Sequence, residues 1–219
     1  MSTPWKASPT VAQLQAANVN VSGVKEIIWQ PIFDFAVYAA AGQQNIKFFQ
    51  NAAGAGGKTQ ADTNMQQGGQ FPAGTLFALT GIEIPFNSGA TIYNEAAVPI
   101  VTGQSYADDV QAALGYGAYL VLTIGNKQYL IDGPLVMFPS SGRLYVSAAI
   151  AIALPAAETV GTFAYAAGAG MPYDVTGLYI PSNQNFDVTL YWPALVPLPS
   201  TKPGRIGCRL NGYIVRNVQ

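Results

Sequence analysis

The segment with the most chemical promise is 52–59, which reads Ala-Ala-Gly-Ala-Gly-Gly-Lys-Thr and resembles a phosphate-binding loop whose first glycine is replaced by alanine. In such loops backbone amides at a helix N-terminus hold the phosphates, the lysine reaches the β- and γ-phosphates, and the threonine binds magnesium. Lys58 and Thr59 would carry that chemistry. Residues 60–70, however, offer no apolar face on which the required helix can dock, and alternating βα units are missing. The pattern favours a surface loop, in which Lys58→Ala leaves folding almost untouched.

Other residues that could act in catalysis or metal binding are scarce. The chain contains no histidine, which removes the commonest general base and metal ligand and leaves the serines without a Ser-His-Asp partner. Asp108 and Asp109 resemble metal ligands, but a place in the first turn of a helix, where the dipole favours negative charge, explains them without metal. We expect Glu83 to face outward from a strand and the single Cys208 to be a small buried hydrophobe. We therefore predict no catalytic residue, cofactor or metal site.

The composition indicates a protein that buries its outer surface against copies of itself. Half of the 219 residues are apolar and only 10% are charged, whereas roughly one quarter are charged in ordinary soluble domains. Neither an apolar run of about twenty residues nor a signal-peptide pattern is present, so self-association explains the composition better than a membrane does. The net charge is −1 and no basic run exists, so we expect no direct contact with nucleic acid.

The chain is expected to divide into an arm and one domain. Residues 1–26 are interrupted by prolines and contain one weakly helical stretch, which is typical of an assembly arm. Trp5, Val11 and Leu14 are the side chains with which this arm would contact a neighbour. Residues 27–219 are predicted to form a single domain, because all-β chains of this length commonly remain undivided.

The domain is predicted to be an all-β antiparallel sandwich with one short helix and long loops. Apolar residues recur with a period of two in many short segments, and Gly125-Asn126 suits a two-residue hairpin turn. A helix is expected from Ser105 to about residue 115, and a long loop over 50–70. Strands are predicted at 32–38, 45–49, 75–84, 119–124, 127–131, 135–138, 144–152, 159–164, 186–192 and 205–214.

Three of these strands have an apolar face that we expect to form the core. In the first strand, Asp34 and Ala36 would point to the opposite, outer face. The predicted core residues are Phe33, Phe35 and Val37 in the first strand, Phe186, Val188, Leu190 and Trp192 in the second, and Ile206, Cys208 and Leu210 in the third.

The last third of the chain carries a resemblance to a known family. Residues 185–193 read Asn-Phe-Asp-Val-Thr-Leu-Tyr-Trp-Pro, and residues 204–216 read Gly-Arg-Ile-Gly-Cys-Arg-Leu-Asn-Gly-Tyr-Ile-Val-Arg. This pair of segments resembles the closing strands of jelly-roll major capsid proteins from tailless icosahedral bacteriophages, including those with an internal lipid layer. The resemblance implies a single jelly roll, located in the virion, that assembles as trimers or pseudo-hexamers beside other virion proteins and an underlying membrane.

One departure and two alternatives accompany this interpretation. Many single-roll plant-virus coats have an arginine-rich arm for the genome, whereas this arm has only Lys6, which again argues against direct contact with nucleic acid. The first hypothesis is therefore a structural coat protein and not an enzyme. The alternative is a ligand- or glycan-binding β-sandwich in which Trp5, Trp29 or Trp192 stacks on sugars. A nucleotide-binding enzyme that uses Lys58 is the third hypothesis.

Overall fold

A computed structural model describes residues 9–16, 25–89, 102–138, 144–154, 157–167, 172–182 and 184–217. These residues contain the helices α1 (Val11–Ala16) and α2 (Thr102–Gly115) and a 3-10 turn, Leu135–Met137. The strands are β1 (Lys25–Trp29), β2 (Ile32–Tyr38), β3 (Asn45–Phe48), β4 (Thr75–Glu83), β5 (Phe86–Asn87), β6 (Tyr119–Ile124), β7 (Lys127–Asp132), β8 (Leu144–Leu154), β9 (Ala157–Ala167), β10 (Tyr173–Pro181), β11 (Phe186–Tyr191) and β12 (Gly204–Asn217).

The strands form two main antiparallel sheets. Sheet A has the order β1-β12-β4-β10, with β2 and β5 also paired to β12. Sheet B has the order β3-β11-β6-β7. The strands β8 and β9 pair with each other in a separate two-stranded ribbon. The described part of the chain is thus mostly β with antiparallel sheets, as the sequence predicts.

The long strand β12 organises sheet A. Along one edge it pairs first with β2 and then with β1, and along the other with β5 and then with β4. Each of these edges is broken at a proline, Pro31 or Pro85, because proline has no N–H to donate to a ladder. A register shift against β4, between Asn211 and Gly212, bends β12. These interruptions divide each edge of β12 between two partner strands.

The core lies between the two sheets and is rich in aromatic rings. The ring of Phe71 stacks on Phe77 of sheet A, with centroids 5.4 Å apart, and on Phe186 of sheet B, with centroids 5.1 Å apart. Complete burial of such a side chain contributes about 1.5–3 kcal/mol. The core residues predicted in the last two strands are all buried, namely Phe186, Val188, Leu190, Trp192, Ile206, Cys208 and Leu210.

The prediction for β2 is wrong about which face is buried. Asp34 is only 1% exposed and faces the core, whereas Val37 is 67% exposed. Phe33 and Phe35 are half-buried on the outer face with Val37. Asp34 can lie in the interior because polar groups inside the protein bind its carboxylate. The other residues of β2 on the same face are apolar. Those residues are Ile32, Ala36 and Tyr38.

Several element boundaries also differ from the predictions. Residues 135–137 form a 3-10 turn and not a strand, and α2 begins at Thr102, three residues before Ser105. The strand β10 is not predicted at all, because Gly177 interrupts its alternation with a positive φ of 77°. The hairpin of β6 and β7 has its expected turn at residues 125–126, where Gly125 has a φ of 60°.

The predicted arm is described only in part. Leu14 lies in α1 and is fully buried against its own chain. Trp5 lies outside the described residues, as does the side chain of Val11. The strand β1 begins at Lys25, so the last two residues of the predicted arm belong to sheet A. None of the helices within the described ranges is both long and apolar enough to cross a bilayer.

Candidate functional site

Lys58, the lysine of the segment that resembles a phosphate-binding loop, forms an internal ion pair with Asp34. Its ammonium Nζ lies 2.7 Å from Oδ1 of Asp34 and also donates to the backbone carbonyl of Phe35. The other carboxylate oxygen of Asp34 accepts the backbone N–H of Phe49 at 2.6 Å. The loop that carries Lys58 is therefore fastened to β2 and to the end of β3.

The pKa of Asp34 reflects two opposing effects. Burial removes the carboxylate from water and raises its pKa, while the hydrogen bonds from Lys58 and Phe49 and the charge of Lys58 lower it. Burial is the largest contribution, so the pKa lies above its ordinary value. Burial of the Asp34–Lys58 pair therefore costs desolvation free energy. Removal of either partner would leave the other charge buried without its counter-charge.

The rest of the glycine-rich segment does not form a phosphate-binding loop. No helix follows Thr59 in the described residues, because residues 60–70 contain only turns and isolated bridges. The backbone N–H and hydroxyl of Thr59 bind the carboxylate of Asp62 at 2.9 Å and 2.8 Å. Neither the lysine nor the threonine is available for a nucleotide in this arrangement.

Asp109 joins α2 to two loops and does not stabilise a helix N-terminus. Because α2 begins at Thr102, Asp108 and Asp109 lie beyond its first turn, and the prediction of a first-turn position is wrong. The carboxylate of Asp109 is fully buried and accepts the N–H and hydroxyl of Ser200 at 2.9 Å and 2.6 Å. It also accepts the hydroxyl of Ser88. Asp109 therefore fastens α2 to the segments that follow β5 and β11.

Glu83 is a third buried carboxylate, contrary to the outward position expected for it. Its side chain is 2% exposed and accepts a hydrogen bond from the amide of Asn211 at 2.5 Å. Cys208 lies nearby in β12, and burial together with the charges of Asp34 and Glu83 raises the pKa of its thiol well above the usual range. The thiol thus remains protonated and unreactive.

The buried polar groups that the structure describes are hydrogen-bonded within the protein. Within the described ranges, no cluster of three or more His, Cys, Asp or Glu side chains is arranged to hold a metal. Every buried side-chain nitrogen or oxygen in the same ranges has a hydrogen-bond partner. No orphaned donor or acceptor there points to a missing ligand.

A polar groove of about 560 Å³ lies where β1 and the end of β12 meet the loop before β4. On its wall the Nε atom of Arg216 donates to the carboxylate of Glu26 at 2.8 Å. The amide of Asn64 also lines it but is occupied by the backbone of residues 31 and 33. The remaining amide side chains on its wall are Gln30, Gln66 and Gln70, and the amide of Gln70 donates a hydrogen bond to the side chain of Asn185. Such groups suit a neutral polar ligand.

The two tryptophans that the structure describes, Trp29 and Trp192, do not combine into a sugar-stacking site, and Trp5 lies outside the described residues. Trp192 is buried, and its Nε1 donates to the carbonyl of Ala113 at 2.8 Å. Trp29 is 38% exposed and packs edge-on against Tyr213, with ring centroids 5.1 Å apart. The two residues are therefore placed differently, and only Trp29 presents part of its ring to solvent.

An apolar patch on the outer face of sheet B is here named the tyrosine face. Tyr119 and Tyr191 are cross-strand partners whose rings stack with centroids 5.2 Å apart. Ile131 of β7 lies opposite Val121 of β6, one position further along the same outer face. The tyrosine face comprises the exposed aromatic and aliphatic residues of β6, β7 and β11, namely Tyr119, Tyr129, Ile131 and Tyr191.

The alternation in β6 and β11 contains the signal for this surface. In β11, Phe186, Val188 and Leu190 face the core, so Tyr191 must face outward, and the hairpin of β6 and β7 adds further outward positions. Sequence reasoning concentrated on the inward residues and missed the outward tyrosines.

Comparison of the chain with protein-family models, with curated proteins and with solved structures finds no match.

Proposed function

We propose that the protein is a structural coat subunit, a single jelly roll that assembles with copies of itself into an icosahedral virion shell. In this proposal it is not an enzyme. The subunits form trimers or pseudo-hexamers and contact other virion proteins and, in particles with an internal membrane, a lipid layer. Genome packing is left to other components because the chain lacks a basic run.

The order of strands supports the jelly-roll part of the proposal. Along the chain β2 lies in sheet A, β3 in sheet B, β4 in A, β6 and β7 in B, β10 in A, β11 in B and β12 in A. Chain connections thus pass repeatedly from one sheet to the other. These eight strands, to which the short β1 and β5 are added beside β12, are joined by the crossings that a double Greek key requires, and viral coats are among the proteins built this way.

The low charge supports the self-assembly part. Within the described ranges, three surface ion pairs use six of the 21 charged side chains, namely Lys47–Asp187, Arg205–Asp62 and Arg216–Glu26. Protein interfaces are poor in lysine, glutamate and aspartate and rich in aromatic residues. The observation that carries the proposal is the set of exposed tyrosines and aliphatic residues on the outside of a sandwich in which only 10% of residues are charged.

The size of the purified particle tests the proposal. We expect sedimentation velocity and negative-stain electron microscopy to detect trimers, pseudo-hexamers or closed shells at micromolar concentration. Because apolar contacts dominate, assembly should persist at about 1 M salt, where the Debye length is only about 3 Å. A protein that stays monomeric at millimolar concentration in low and high salt would contradict the proposal.

A ligand- or glycan-binding sandwich is the second candidate, and the polar groove favours it. The ion pair of Arg216 and Glu26 and three glutamine amides line this groove. Titration of a monomeric preparation with neutral oligosaccharides, followed by NMR, tests this function. Shifts that are confined to Gln30, Gln66 and Gln70 and abolished by Arg216→Ala would favour it over the coat subunit.

A further inference from the structure

We infer that the tyrosine face is the surface through which one copy of the chain contacts a second copy. The inference rests on the proposed coat function and makes it specific, because it assigns one subunit contact to named residues. The alternative occupants of the same surface are a lipid bilayer and an unrelated protein, and the experiment below separates them from a second copy.

The exposed area of the tyrosine face is about half of what a stable contact needs. Its four side chains are between 37% and 60% exposed. Large side chains bury about 150–250 Å² each when fully covered, so the four together offer roughly 350 Å². A standard interface takes roughly 800 Å² from each partner. Side chains at the rim and the adjoining edge of β7 supply the remainder.

The rigidity of the surface also favours association. Tyr119 and Tyr191 stack with an angle of 19° between their ring planes, and each ring stands on a strand in the middle of sheet B. Side chains that are already ordered lose little conformational entropy when a partner covers them. The stacked pair thus forms a preorganised aromatic anchor of the kind that dominates binding energy in protein interfaces.

The charges around the tyrosine face select a second copy over an anionic partner. Lys127 lies above the ring of Tyr129, 5.0 Å from its centroid, and Asp132 lies on the same strand. On the neighbouring strand β3, Lys47 lies opposite Thr189 and pairs with Asp187 at 3.1 Å. Nucleic acid and anionic lipid both require an excess of basic side chains, which two lysines beside two aspartates do not supply. The uncharged surface of another copy meets no such mismatch.

The strand β7, at the border of the tyrosine face, favours a closed contact. Among the described residues β7 pairs with β6 alone, which makes it an edge strand of sheet B in that part of the chain. A register shift between Leu130 and Gln128 places a bulge at Tyr129 and interrupts the regular ladder. Bulges and lysines hinder continuous strand addition. The two copies are therefore held by side-chain packing, which suits a finite assembly better than a fibre.

Ile131→Arg tests the inference, because it places a charge in the middle of the tyrosine face without touching the core. The matched control is Val37→Arg, an equally exposed aliphatic residue on the outer face of sheet A. Sedimentation velocity across a concentration series gives the dissociation constant of the smallest oligomer for each protein. We expect at least a tenfold weaker association for Ile131→Arg and a change below threefold for Val37→Arg, with unchanged circular dichroism for both.

Hydrogen exchange supplies a second measurement. In the assembled wild type the amides of residues 129–132 should exchange more slowly than in dissociated Ile131→Arg, whereas the amides of β1 should not differ. Equal exchange of β7 in the two proteins would overturn the inference. An equal loss of association in Val37→Arg would overturn it as well, because the effect would then not be specific to the tyrosine face.

The remaining outcomes separate this inference from the coat proposal. If the wild type assembles and Ile131→Arg assembles equally well, the inference fails and the coat proposal stands. If the wild type forms a dimer that Ile131→Arg dissociates but never forms larger particles, the inference stands and the coat proposal fails. Binding of the wild type to phosphatidylcholine vesicles that Ile131→Arg abolishes, without any effect on self-association, would assign the surface to lipid and overturn the inference.

Discussion

Lys58 and Asp34 are 24 residues apart in the sequence, yet Nζ of one lies 2.7 Å from Oδ1 of the other in the interior of the protein. This contact joins a glycine-rich loop to the second strand of sheet A. It explains both why the loop is not a nucleotide site and why β2 presents a carboxylate to the core. The pair is therefore the first target for mutation.

Lys58→Ala should destabilise the protein by about 3 kcal/mol, because removal of one partner leaves a buried charge uncompensated. This outcome is the opposite of the small effect that the sequence alone predicts. Chemical unfolding in urea measures the free energy of unfolding. The control is Lys47→Ala, since Lys47 is half-exposed and pairs with Asp187 at the surface, where a loss below about 1 kcal/mol is expected. Equal losses in the two variants would contradict the structural role of Lys58.

The raised pKa of Asp34 predicts a specific pH dependence of stability. In the folded protein the carboxyl binds its proton more tightly than in the unfolded chain, where the pKa is 3.8. Its contribution to stability is therefore fully present below pH 3.8 and is lost as the pH rises through the folded-state pKa. We expect the difference in unfolding free energy between wild type and Asp34→Asn to decrease as the pH increases through that window.

The measurement is urea unfolding of both proteins at a series of pH values. Asp34→Asn is the reference because it removes this titration while it leaves the other carboxylates in place. A difference that increases with pH would mean that Lys58 outweighs burial and that the pKa of Asp34 is in fact lowered in the folded state.

The sequence predicts the strands of this protein better than it predicts which of their faces are buried. In β11 the outward positions hold Asp187 and Thr189, so the alternation alone identifies the buried face. In β2 both faces are largely apolar, and the only strong cue, Asp34, points inward. Its partner Lys58 is distant in the sequence, and local periodicity carries no information about such contacts.

Sequence reasoning also misses the contacts of Asp109 and the tyrosine face, because local sequence does not reveal contacts between distant segments. Asp109 resembles a residue that favours a helix N-terminus until the start of α2 is known, and its partners Ser88 and Ser200 come from remote loops. The tyrosine face depends on the pairing of β6 with β11, which are separated by more than sixty residues. Pairing of this kind is set by how the whole sandwich closes and not by either strand alone.

Asp109→Ala should release α2 from the loops on either side of it. The change removes the acceptor for Ser200 and Ser88 and leaves their donors without this partner in a largely buried site. Loss of charge-assisted hydrogen bonds costs about 1.5–3 kcal/mol. Thermal unfolding measures the loss, and faster hydrogen exchange at the amide of Ser200 locates it. Asp108→Ala, which changes the neighbouring and less buried carboxylate, is the control and should have a much smaller effect.

Gly207→Ala should destabilise sheet A through a clash on its outer face. A Cβ atom at Gly207 would lie 2.5 Å from the ring of Phe35, which in turn lies 4.3 Å from the guanidinium carbon of Arg205. Relief of this overlap requires the ring to move away from its position beneath the arginine. Insertion of a methyl group into a packed site of this kind costs about 1–3 kcal/mol.

A second change on the same face distinguishes this clash from a general effect of alanine on β12. Phe35→Leu shortens the side chain that the new methyl group would meet, so we expect the double variant Gly207→Ala/Phe35→Leu to be more stable than Gly207→Ala alone. Unfolding free energies of the two single variants and the double variant complete the cycle. Strictly additive losses would show that Phe35 and residue 207 do not interact, and would contradict the outward position of Phe35 in β2.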